Sequence, residues 1–121
     1  MSKKKALLIV DHGSRFKGAN DMLWDVVKMM QKLRPDLIVE GAHMELCDPD
    51  IPAGIKACVD AGANEVTVHP YMLAPGRHAT SDIPKMATEA AQAYPGLGFS
   101  VTDCLGVDDR IGSLILERAG L

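Results

Sequence analysis

Short apolar runs alternate four times with stretches of helical periodicity along this chain, and few folds accommodate such an order. Ala6 to Val10 is apolar without interruption, as expected of a strand covered on both faces. Leu23, Val26, Val27, Met30 and Leu33 then recur at helical spacing until Arg34-Pro35-Asp36 ends the helix. Leu37 to Met44 reads as a second strand. A second helix is expected from Pro52 to Ala61, with Asp50 near its start and Gly62 as its stop. Glu65 to Tyr71 is the third strand. Ser81 or Asp82 can cap a third helix that tolerates Pro84 in its first turn and runs through Ala93. Gly98 to Thr102 is a short fourth strand, and Asp108 caps a last helix through Ala119, closed by Gly120. Four β-α units in succession predict an α/β fold, three-layer α/β/α, with a four-stranded parallel sheet and right-handed crossovers.

At 121 residues, 47% apolar and 24% charged, residues 1–121 are expected to form a single domain. The net charge of −3 offers no basic surface for nucleic acid. Lys3-Lys4-Lys5 precedes only five apolar residues, too few for a secretory signal or a membrane span, so a cytoplasmic protein is expected. Cys47, Cys58 and Cys104 show no CxxC spacing, and buried free thiols are the better reading. Met22, Met29, Met30, Met72 and Met86 read as core or pocket filler, and Trp24 as packing against the sheet or a partner chain.

Parallel strands bring their carboxyl ends to one edge, where open α/β sheets hold ligands. His12, Glu45 and His78 each follow a strand, so this layout delivers two imidazoles and a carboxylate to that edge. Such a set suits a divalent first-row metal. The spacing of 33 residues between successive members matches no local metal motif. His12-Gly13 also invites comparison with phosphohistidine enzymes, but Asp11 stands where those carry arginine. Gly13-Ser14-Arg15 can form an anion-binding turn, whereas GxGxxG and GxxxxGK[ST] are both missing, so a nucleotide site is unsupported. His43 shares the strand face of Glu45 and is a candidate substrate contact or a support behind the site; His69, inside the third strand, reads as a structural histidine.

Three segments together carry a family resemblance. Asp11-His12-Gly13-Ser14-Arg15 resembles the opening motif of the sirohydrochlorin chelatases, the small class II tetrapyrrole chelatases. Glu45-Leu46-Cys47-Asp48-Pro49-Asp50-Ile51-Pro52 is similar to their second motif. Pro70 to His78, followed by Asp82-Ile83-Pro84, is similar to their third. The resemblance covers about residues 5 to 118 and implies a chelatase-like half that inserts Co²⁺ or Fe²⁺, with Ni²⁺ compatible, into sirohydrochlorin for cobalamin or siroheme biosynthesis. It implies that His12 and His78 hold the metal, that Glu45 is a ligand or proton acceptor, and that Arg15 and Arg77 meet the substrate's carboxylates; Lys17, beside them, reads first as a solvated helix-start lysine. Metal competes with protons for imidazole, so activity is expected to fall as pH drops through the histidine range. No cofactor is expected beyond the substrate metal.

Long chelatases of this class resemble two such halves fused around the tetrapyrrole, so a homodimer is expected here. The iron-sulfur and histidine-rich C-terminal features of some members are not expected, since no histidine follows His78. The rival reading is a non-catalytic metal or tetrapyrrole carrier using the same histidines.

Overall fold

The structure, a computed structural model, describes residues 4–77 and 81–121. Four parallel strands form one sheet: β1 (Lys5–Asp11), β2 (Ile38–His43), β3 (Glu65–Pro70) and β4 (Gly98–Val101), in the order β2-β1-β3-β4. Helices α1 (Lys17–Leu33), α2 (Ile51–Asp60), α3 (Ile83–Ala91) and α4 (Asp109–Ala119) follow the strands in turn. The expected boundaries hold to within a residue or two at most ends, and α4 has the expected caps: Asp108 accepts from the Arg110 amide, and Gly120 is left-handed at φ 73°.

Central β1 is buried on both faces, which is why its sequence does not alternate. Ala6, Leu8 and Val10 join Val66, Val68, Ile51, Ile55 and Ile83 in the main core beneath α2 and α3. On the other face, Ile9 and Val39 pack against Leu23 and Val27 of α1. Gly54 lets α2 approach the sheet, since a Cβ there would stand 2.8 Å from Leu8 and 2.9 Å from Ala42. Asp50 caps α2 through a 3.0 Å bond from the Ala53 amide.

Helices lie on both faces, as expected of three layers, but their cover is incomplete. β3 alternates Glu65-Val66-Thr67-Val68-His69, with only the valines buried, and none of the residues of α4 is buried. The outward face of β3 and β4 is therefore polar and open. Cys58 is buried, and burial pushes its thiol up to about 12; Cys47 and Cys104 are only half-buried, a correction to the reading of three buried thiols. Met22, Met29 and Met86 are exposed rather than core, because each lies on the solvent side of its helix. Trp24 packs on the sheet as expected, its ring edge-on to His43 at a centroid distance of 6.3 Å. No helix among the described residues is long and apolar enough to cross a membrane.

Candidate metal and substrate site

The strand order reverses between β1 and β3, and open α/β sheets bind ligands at such a point, beyond the carboxyl ends. Beside that point, at the same carboxyl edge, residues after β1 and β2 meet. Two backbone bonds join the loops just beyond the strands: the Met44 amide donates to the Asp11 carbonyl at 2.9 Å and the Glu45 amide to the His12 carbonyl at 3.2 Å. These two bonds hold the His12 and Glu45 backbones side by side. Gly13 makes the approach possible. Its φ is 88°, and a Cβ there would lie 1.8 Å from the Glu45 carbonyl oxygen.

The side chains complete the meeting. His12 Nε2 stands 3.2 Å from Glu45 Oε1, both groups about half exposed. His12 Nδ1 lies 3.1 Å from the Gly13 carbonyl. A carbonyl only accepts, so this contact places the ring proton on Nδ1 and turns the accepting nitrogen, Nε2, toward a carboxylate. Two acceptors at that distance repel unless a positive particle lies between them. A proton fits, and so does a metal ion: ligand atoms bound tetrahedrally at 2.0–2.2 Å stand about 3.3 Å apart.

Further contacts fix the loop that carries His12. The Ser14 amide donates to Asn20 Oδ1 at 2.9 Å, and Asn20 Nδ2 donates to the Ser14 carbonyl at 2.6 Å. Asn20 is buried, so α1 grips the loop through both ends of one amide. A cavity of about 270 Å³ opens beside His12, Asn20, Leu23 and Tyr71. Sequence reasoning missed Asn20. Its signal was a polar residue in helical register with Leu23 and Val27, the stripe that faces the sheet.

His43 is not a substrate contact. It is 1% exposed, and its Nδ1 donates to Asp11 Oδ1 at 2.6 Å. β2 ends at His43, so the two-residue alternation that would align it with Glu45 stops before Glu45 is reached. Asp11 and His43 are register partners across β1 and β2, and their bond closes the interior directly behind His12. His69 is structural as expected: its Nδ1 pairs with Thr102 Oγ1 at 2.8 Å, and burial lowers its pKa, which favours the neutral ring. Lys17 pairs with Asp21 one turn along α1 at 2.7 Å instead of turning to the site.

Arg15 and Arg77 are exposed, and no described residue pairs with either. His78 lies outside the described residues. Among the described residues no third histidine, cysteine or acid joins His12 and Glu45 in a metal-sized cluster. Loops at the carboxyl edge also present large apolar side chains to solvent: Phe16, Leu46, Leu73, and Leu105 with Val107. Leu46 does so at φ 69°, which costs a branched side chain about 1–2 kcal/mol.

Known proteins share this sequence pattern and fold. The CbiX family profile matches residues 6–120. The chain is 40% identical to the chloroplastic sirohydrochlorin ferrochelatase of Arabidopsis thaliana, over 93% of this chain and 50% of that one. It is 32% identical to the sirohydrochlorin cobaltochelatase of Methanococcus maripaludis, over 95% of this chain and 97% of that one. The solved structure of the sirohydrochlorin chelatase SirB from Bacillus subtilis subspecies spizizenii, in complex with cobalt, superposes with a TM-score of 0.84 at 32% identity, covering 97% of this chain and 50% of that one. SirB from Bacillus subtilis with Fe³⁺ also gives 0.84. The chain thus spans about half the length of the plant relative and of SirB, and nearly all of the archaeal one. With family profile, relatives and fold in agreement, the chain belongs to the CbiX family of sirohydrochlorin chelatases.

Proposed function

We propose that the chain inserts a divalent metal, Co²⁺ or Fe²⁺, into sirohydrochlorin. The observation that carries this reading is the His12–Glu45 pair, whose Nε2 and Oε1, 3.2 Å apart, are spaced to share a proton or a metal ion. The reaction exchanges one ion for two protons: M²⁺ enters the macrocycle and the two pyrrole N–H protons leave, with nothing oxidised or reduced. His12 and His78 hold the incoming ion, and Glu45 completes its hold. As the ion passes to the macrocycle nitrogens, a pyrrole proton takes its place between Nε2 and Oε1, and the second proton leaves to His78 or water. The ion's departure thus creates the proton acceptor at the point of need.

Arg15 and Arg77, without protein partners among the described residues, pair with the carboxylates at the macrocycle's rim. The apolar tips Phe16 and Leu46 lie against its flat face. Because one carboxyl edge supplies only one wall, the working unit is a homodimer with two such edges facing each other. The chemistry needs no cofactor beyond the substrate metal.

Incubation with sirohydrochlorin and Co²⁺, Fe²⁺ or Ni²⁺ separately, followed by absorbance of the macrocycle, tests this directly. Multiple turnovers with at least one ion are expected, and stoichiometric binding without turnover would return the carrier reading. Leu46 gives a finer test. Leu46→Gly removes the backbone strain along with the apolar tip, so melting is expected at an unchanged or higher temperature while KM for the tetrapyrrole rises several-fold. Earlier melting with an unaltered KM would mean that Leu46 only packs against its neighbours.

A further inference from the structure

Of the described helices, only α4 buries no residue. It is nonetheless firmly specified, with Asp108 bonded to the Arg110 amide at 2.9 Å and Gly120 closing the far end. Leu114 and Ile115 are 45% and 60% exposed. With Ile111 they stand at i, i+3 and i+4, the spacing of a helix face meant for a partner. A helix this short does not persist in water on its own.

A place for such a helix is open on the sheet. α1 covers β1 and β2 only, and next to it the outward face of β3 and β4 carries Thr67 and Ser100, small side chains over which a helix can lie. The chain's own α4 is led elsewhere. After β4 the Leu105 amide bonds to the Met72 carbonyl at 2.9 Å and the Gly106 amide to the Leu73 carbonyl at 2.8 Å, tying the strand exit to the loop after β3. α4 therefore sets off from the carboxyl edge, the edge that bears His12 and Glu45.

We propose that α4 is exchanged between two copies of this chain, the Ile111-Leu114-Ile115 stripe of each seating on the open β3–β4 face of the other. This rests on the paired site proposed above and names the element that makes the pair. Lengths of relatives favour a second copy as the occupant. The likeness to SirB spans 97% of this chain, too much to leave α4 out, and only half of SirB, so SirB has another half for the equivalent helix to reach. The Methanococcus maripaludis relative is matched over 97% of its own length and has no such half. Exchange from the carboxyl edge also brings the second copy over the site, so the helix that joins the copies supplies the missing wall.

Light scattering of the 121-residue chain and of its Leu114→Asp/Ile115→Asp variant tests the proposal. The unaltered chain is expected at twice the chain mass. The variant is expected at the chain mass, with α1 to α3 and the sheet intact by circular dichroism and insertion of Co²⁺ reduced at least tenfold. A second measurement avoids substitutions that weaken folding. A Ser100→Cys chain mixed with a Leu114→Cys chain, each with Cys47 and Cys104 replaced by serine, is expected to give a disulfide-linked dimer under mild oxidation. A dimer that survives Leu114→Asp/Ile115→Asp, or a mixture that does not cross-link, overturns the exchange and leaves the paired site standing. A monomeric unaltered chain overturns both. A chain bearing both cysteines that closes on itself at every dilution overturns the exchange by showing α4 on its own sheet.

Discussion

Gly13→Ala is expected to abolish metal insertion and to destabilise the fold by about 2–5 kcal/mol. The methyl group would lie 1.8 Å from a backbone carbonyl, that of Glu45, and a main-chain carbonyl cannot swing aside as a side-chain tip can. The left-handed φ of 88° adds strain for any residue with a Cβ. Relief requires the loops after β1 and β2 to separate, and that breaks the Glu45–His12 backbone hydrogen bond and parts Nε2 from Oε1. Destabilisation and loss of activity should therefore appear together. Chemical denaturation of the variant beside the absorbance assay checks both. A Gly13→Ala protein with native stability and native turnover would disprove the close approach of the two loops.

His12→Ala is expected to lower kcat/KM by at least about two orders of magnitude with little change in stability, because the ring is half exposed and its removal leaves no cavity in the core. Glu45→Gln separates the two tasks assigned to that residue. The amide oxygen still faces Nε2, but it neither draws a cation strongly nor accepts a proton. Co²⁺ affinity is expected to fall about tenfold and kcat about a hundredfold. The larger loss in kcat marks the proton that must follow the departing ion. Equal losses in affinity and in kcat/KM, with kcat untouched, would reduce Glu45 to a simple ligand. An unchanged rate in either variant would remove the pair from the mechanism.

The elements of this fold were legible because their signals are local. Asp108 and Gly120 bound α4 by capping chemistry alone, and Ala6 to Val10 reads as a two-faced strand from its unbroken apolar run. What helix α4 would face was not legible, since periodicity defines a stripe but not its partner. Even so, the alternation of Glu65-Val66-Thr67-Val68-His69 already marks β3 as open on one side. In the site, His12 and Glu45 stood out by motif and by strand ends, whereas Asn20 did not, because its grip on Ser14 exists only once α1 folds back. His43 was misplaced for the converse reason: a strand's alternation was extended past its last residue, and the side chain turned inward to Asp11. The sequence expectation for His78 rests on the third motif alone.

The two backbone bonds that tie the loops after β1 and β2 together divide the carboxyl edge into roots and tips. The reacting pair stands on the roots, where main-chain geometry is shared with the sheet itself. Phe16, Leu46, Leu73 and Val107 stand on the tips, largely open to solvent or a ligand. Mutation can therefore reshape the tips without moving the atoms that handle the ion. On such a scaffold, selectivity for the decoration of a macrocycle can drift through evolution while the insertion chemistry stays fixed, and the two can be re-engineered one at a time.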